Sequence, residues 1–140
     1  MSITIKEFPY TPEQLAWLDD LETTEAAQGK GYLHKDDAFC CLGRACVVLG
    51  VPAEYGRFIR DGVVRYDGLV SAMSDSIQEI LQLRDELGSF KQVVMVKYEA
   101  SKSLVELNDG LSYTFKQIAA FIRSDPTNVF TNLDAPEVTP

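Results

Sequence analysis

Chemistry in this chain would start at its thiols. Cys40, Cys41 and Cys46 lie within seven residues of one another, and His34, the single histidine, precedes them. A thiolate at a helix N-terminus with an imidazole as base is the arrangement of a cysteine nucleophile, so an enzyme centred on Cys40 or Cys41 is one reading. The flanking residues argue otherwise. Phe39, Leu42, Val47 and Val48 make the run apolar, and free cysteines in such runs pack as small hydrophobes. A zinc site from His34, Cys40, Cys41 and Cys46 fits poorly. Adjacent cysteines on a helix point about 100° apart, whereas structural zinc ligands come in pairs two to four residues apart. No metal and no cofactor is expected.

A second constellation is basic and aromatic. Arg57-Phe58-Ile59-Arg60 and Val63-Val64-Arg65-Tyr66 flank Asp61-Gly62, the pattern of a β-hairpin over 57–66 closed by a two-residue turn. In that register Ile59 faces Val64 and Arg57 faces Tyr66. Phe58, Arg60, Val63 and Arg65 then share the other face. Arginine forks bind phosphate and a neighbouring ring stacks on a base, so Phe58, Arg60 and Arg65 are the candidate ligand-binding residues. The competing reading is a solvated hairpin face. The carboxylate pairs Asp19-Asp20 and Asp36-Asp37 sit in polar surroundings that would not raise a pKa, so no acid–base role follows.

A third pattern, Leu104 to Arg123 with Gly110 in a turn, resembles the first two helices of a helix-turn-helix and makes a DNA-binding regulator the second alternative. The recognition helix is missing, because Ser124-Asp125-Pro126 comes at once. The net charge of −8 also opposes general nucleic-acid binding, which rests on neutralising phosphates.

The elements that position these residues are mostly helical. Thr11, Pro12 and Gln14 open the first helix with a capping box, Tyr10 and Leu15 frame it as a hydrophobic staple, and Leu15, Trp17, Leu18 and Leu21 form its apolar stripe. A second, buried helix is expected over 38–49, capped by Asp37 and stopped by Gly50 and Pro52. Gly43 within it would permit close approach by a neighbour. The alternative boundary has Tyr32-Leu33-His34 and Phe39-Cys40 in a hairpin, with the helix starting near Cys41. A third helix is expected from Ser76 with Glu79 in its box. A fourth comes after Val93-Val94-Met95-Val96, where periodicity does not separate helix from strand, and carries Ala100, Leu104, Leu107 and Leu111. Thr114 and Gln117 open a fifth.

The expected fold is therefore α+β: about five helices around the buried helix 38–49, with a small hairpin over 57–66. Residues 1–125 form one domain and 126–140 a loose tail. A chain of 140 residues with hydrophobic content of 46% can bury a core without staples. The odd number of cysteines points to a reducing compartment. No signal peptide or membrane-spanning run is read, so cytoplasm is the expected location.

Two blocks resemble a known family. Gly31-Tyr32-Leu33 followed by Phe39-Cys40-Cys41-Leu42-Gly43 with Cys46 is similar to the first half of a family of small, mostly uncharacterised proteins of phages and prophages. Leu104, Leu107-Asn108-Asp109, Phe115 and Ile118-Ala119 resemble its C-terminal block. Ser76-Ile77-Gln78 and Leu83-Arg84 lie between them, so the likeness spans residues 13–123. Arg44 stands where that family often has a small aliphatic residue. The resemblance implies phage origin and a host-cell cytoplasm, with no catalytic residues to carry over. No nucleophile, phosphate loop or metal signature outweighs its competing reading, which weighs against an enzyme. The expectation is an accessory protein that acts by binding, countering a host defence by sequestering a nucleotide-like signal molecule or masking a host protein. Self-association is left open.

Overall fold

The computed structural model describes residues 7–55 and 62–134. They form an α+β fold whose helices and short sheets share one apolar core. Helix α1 (Pro12–Thr23) begins as its sequence requires: the Thr11 side chain accepts the Gln14 N–H and the Gln14 side chain accepts the Thr11 N–H. Its buried face is Gln14, Trp17, Leu18 and Leu21. Leu15, expected inside, is exposed, and Gln14 takes the inner position. That amide is tolerated in the core because its NH2 group donates to the Leu81 carbonyl and to Asn132.

Strands β1 (Ala27–Gln28), β2 (His34–Lys35) and β3 (Ala38–Phe39) make a small sheet in the order β1-β3-β2. Strand β3 runs parallel to β1 and antiparallel to β2. The β2–β3 turn is Asp36-Asp37, both with positive φ (51° and 62°), a conformation aspartate tolerates better than most residues. Asp37 is thus a turn residue and not a helix cap. Helix α2 spans Cys41–Val48, not 38–49; Cys40 is its N-cap, and the alternative boundary is the correct one. Five of its residues are buried, while Val47 is exposed. Arg44 escapes the core sideways, through a two-pronged bond to Asp20 of α1 at 2.9 and 2.7 Å, with its guanidinium above the Phe39 ring.

Strand β4 (Ala53–Glu54) pairs antiparallel with β5 (Arg65–Tyr66), Ala53 opposite Tyr66 and Glu54 opposite Arg65. Val63 lies opposite Lys35, and the Val64 N–H donates to the His34 carbonyl. Tyr66 thus faces Ala53 of β4, and Val63 and Val64 run beside β2. Residues 57–61 of the expected hairpin lie outside the described residues.

Helix α3 (Asp75–Leu81) is capped by Ser74, two residues ahead of the expected Ser76, and ends at Gln82 in the left-handed region. The segment Val93–Val96, open between helix and strand in the sequence, is strand: β6 (Ser89–Val96) pairs with β7 (Glu99–Ser103), and β7 takes the place of the start of the fourth helix expected to carry Ala100 and Leu104. A single π-helical turn (Glu106–Gly110) comes next. Helix α4 (Phe115–Ser124) has the expected box of Thr114 and Gln117 and buries Phe115, Ile118, Ala119 and Ile122. The short helix α5 (Pro126–Val129) continues into the core. Val129 and Phe130 are fully buried, so 126–134 is not a loose tail. Arg84 secures it, bonding the carbonyls of Thr127 and Phe130 and the Asp134 carboxylate. Among the described residues no helix is long and apolar enough to cross a membrane.

Candidate functional site

The thiols are sealed. The Cys40 sulfur accepts the Gly43 N–H, Cys41 points at the Leu104 carbonyl, and Cys46 packs against the Met73 sulfur. All three are buried. Burial pushes Cys40 up to about 11, outweighing the hydrogen bonds from the first turn of α2. The same cause pushes Cys46 up to about 12 and Cys41 well above its ordinary value. These groups are protonated near neutral pH, which is the wrong state for a nucleophile or a metal ligand. His34 stacks on Phe39 with ring centroids 3.9 Å apart, and its Nδ1 lies 2.9 Å from the Tyr66 hydroxyl. Burial lowers its pKa, so it packs as a neutral ring. Among the described residues no cluster of His, Cys, Asp and Glu could hold a metal ion.

Of the three residues expected to bind a ligand, the structure places one. Arg65 bonds Glu54 at 3.3 Å, and the same carboxylate oxygen accepts the Gly68 N–H at 2.9 Å. Phe58 and Arg60 lie outside the described residues. An open cleft of about 720 Å³ is lined by Phe8, Tyr10, Leu15, Arg123 and their neighbours. Its cation is already bound to Glu22 and Asp19.

The two sequence blocks that stand far apart in the chain meet at Asn108. Its side-chain oxygen accepts the Cys41 N–H at 3.2 Å and a Gln28 N–H at 2.8 Å, and its NH2 group donates to the Gly29 carbonyl at 2.8 Å. Asp109 accepts the Gly31 N–H at 3.1 Å. Gln28 completes the junction by accepting the Phe115 N–H. Each of these polar groups is matched to a neighbour in the chain, including the otherwise orphaned first N–H of α2. The junction is a clamp.

The hairpin β6–β7 is different in kind. Cross-strand partners share a face. Val94 and Ser101 are opposite one another and turn inward, as Val96 does against the core. Met95 and Ala100 are opposite one another on the outer face. Met95 is 68% exposed and Val93 55% exposed. The connecting residues, Lys97 and Tyr98, have φ of 49° and 70°, and Tyr98 is 99% exposed. A turn with positive φ at both central positions favours Asn-Gly, and each ordinary side chain there costs about 1 kcal/mol. Lys91, Lys97 and Lys102 are exposed around this face, and none of the ion pairs among the described residues involves them.

The chain matches no protein-family model, no curated protein and no solved structure.

The hairpin face was missed in the sequence for a physical reason. Lys-Tyr carries no turn signature, and the spacing of Ala100, Leu104, Leu107 and Leu111 mimics a helical stripe. A usable signal was present: Val93-Val94-Met95-Val96 is uncharged and rich in β-branched residues, with lysines at 91 and 97 bounding it.

Proposed function

We propose that this chain is a small accessory protein that acts by binding another protein, which it engages through the β6–β7 hairpin. The observation that carries this reading is Tyr98: a fully exposed aromatic ring held in a left-handed backbone conformation at the tip of an apolar face. Strain of that sort persists where the surrounding structure enforces it, and tyrosine, presented beside Met95 and Val93, is a preferred anchor in protein interfaces. Phage origin enters through the likeness of the Gly-Tyr-Leu, Phe-Cys-Cys-Leu-Gly and Leu-Asn-Asp blocks. In that setting the partner is a host protein in the host cytoplasm, and masking it counters a defence.

The other expected occupant, a nucleotide-like signal on Phe58, Arg60 and Arg65, has less support because Glu54 already engages Arg65. Sealed, protonated thiols argue against the cysteine enzyme. Helix α5, next along the chain from α4, has four residues and is too short to read a major groove, which argues against the DNA-binding regulator.

The test is a photo-crosslinking side chain placed at position 98 in host cells, with position 16 on the exposed face of α1 as control. A discrete protein adduct from position 98 that disappears with Met95→Lys is expected. No adduct from 98, or equal adducts from both positions, overturns the proposal.

A further inference from the structure

We infer that the open edge of β6 receives an extended segment of the partner, apolar in its middle and bearing a carboxylate at each end. This rests on the preceding reading and specifies how the hairpin is engaged.

The sheet has two strands, so among the described residues β6 is paired on one side only. Its outer edge is closed at one point. The Asn128 side chain accepts the Gln92 N–H at 2.7 Å and donates to the Gln92 carbonyl at 3.0 Å, as a neighbouring strand would. Past Gln92 that substitute ends. Antiparallel ladders alternate between residues that bond their partner and residues whose N–H and C=O point away. A two-residue loop closes on a bonded pair, Val96 with Glu99, so Met95 is of the second kind and turns its backbone groups outward. The ladder is irregular between Ser89 and Val94, so the regular part of the edge is Val94–Val96; it carries no proline and no inward charge, and such an edge is a template for another strand.

The occupant is set by charge. Gln92 to Val96 is uncharged, and Lys91 and Lys97 bound it, six positions and roughly 20 Å apart in an extended chain. Lys102 adds a third cation on β7, against one carboxylate, Glu99. Among the acidic groups near these lysines, Asp134 has both oxygens bonded to Arg84, Asp125 lines a pocket with Lys91, and Glu106 accepts the Lys102 backbone N–H. The hairpin segment itself thus carries an excess of positive charge on a chain of net charge −8. A second copy of this chain would bring its own three lysines against these, so like charges would meet. A strand with acidic ends meets opposite charge at both.

The experiment uses two synthetic probes on the whole protein: a peptide of alternating threonine and valine ended by glutamates six residues apart, and its lysine-ended twin. Titration followed by amide NMR is expected to show at least tenfold tighter binding of the glutamate-ended peptide, with slowed exchange of the Met95 N–H. The double variant Lys91→Glu, Lys97→Glu is expected to reverse the preference. Equal affinities, no binding of either peptide, or binding that leaves the Met95 amide unprotected overturns strand addition. Because the crosslink from position 98 does not depend on edge pairing, failure of the peptide titration with that crosslink intact would sink this mode alone. Loss of the crosslink would sink the hairpin reading with it.

Discussion

Gly43 of helix α2 lies against the backbone of Leu33 so closely that a methyl group on its α-carbon would stand 1.8 Å from the Leu33 carbonyl oxygen. The obstacle is main chain, which cannot rotate aside, and that carbonyl also accepts the Cys40 N–H. Gly43→Ala would gain helix propensity of about 1 kcal/mol. The clash outweighs this, and the net loss of stability is expected to be about 3 kcal/mol or more, read from the urea midpoint. A midpoint at or above that of the parent would show that α2 can move off β2.

Asn108 serves three backbone or amide partners at once. Asn108→Ala leaves the Cys41 N–H and the Gly29 carbonyl without their bonds in a buried place. The expected cost is roughly 2–4 kcal/mol, measured by thermal or urea unfolding. Asn132→Ala, which also removes a side-chain amide but in a more exposed setting, is the useful comparison and should cost less.

The thiols make stability depend on alkali. Below about pH 8.5 they are protonated in both the folded and the unfolded chain and contribute no slope. Above that, the unfolded chain loses thiol protons while the folded one keeps them, since Cys40 is pushed up to about 11 and Cys46 to about 12. The folded state then binds more protons, so stability falls as pH rises, by about 1.4 kcal/mol per pH unit for each thiol until its folded pKa is reached. Unfolding free energies measured between about pH 8 and pH 11 should show this decline, shallower in Cys46→Ala. Thiol labelling near neutral pH should await unfolding; rapid labelling of the native protein would contradict the buried arrangement.

The hairpin tip should trade stability for binding. Replacing Lys97 by Asn and Tyr98 by Gly relieves two left-handed side chains and is expected to stabilise the fold by about 1–2 kcal/mol. The same variant should weaken the adduct formed from a crosslinker at position 95. A tip that gained stability and kept full binding would remove Tyr98 from the interface.

What the sequence displayed depended on how local the cause was. Thr11 with Gln14 and Thr114 with Gln117 are self-contained devices of one helical turn, and both formed where their residues stand. Gly43 was legible because a glycine inside a helix needs a reason. Gln14 as a core residue was not, since its two distant acceptors, Leu81 and Asn132, are joined to it only by the fold. Hairpin β6–β7 was hidden because its turn breaks the usual residue preference. The strand character of Arg65 was legible, but its cross-strand partner Glu54, which lies before the Asp61-Gly62 signal, was not. Phe130 looked dispensable beyond Asp125-Pro126, and only the ring cluster of Phe8, Tyr10 and Trp17 around it gives it a place.

That cluster has a consequence for biosynthesis. Phe130 fills the space between α1 and the segment that precedes it, and the Asn132 NH2 group reaches back to the Pro9 carbonyl. Helix α1 is met by α2 soon after it is made, through the Trp17 bond to the Cys41 carbonyl, but the ring cluster at its other end is closed only when Phe130, more than a hundred positions later, emerges. Contacts of such long reach slow folding and lengthen the time during which sticky surface is exposed. The nascent chain is consequently most vulnerable to chaperone capture or proteolysis just before Phe130 arrives, and substitutions there should lower the yield of folded protein more than they lower the stability of molecules already folded.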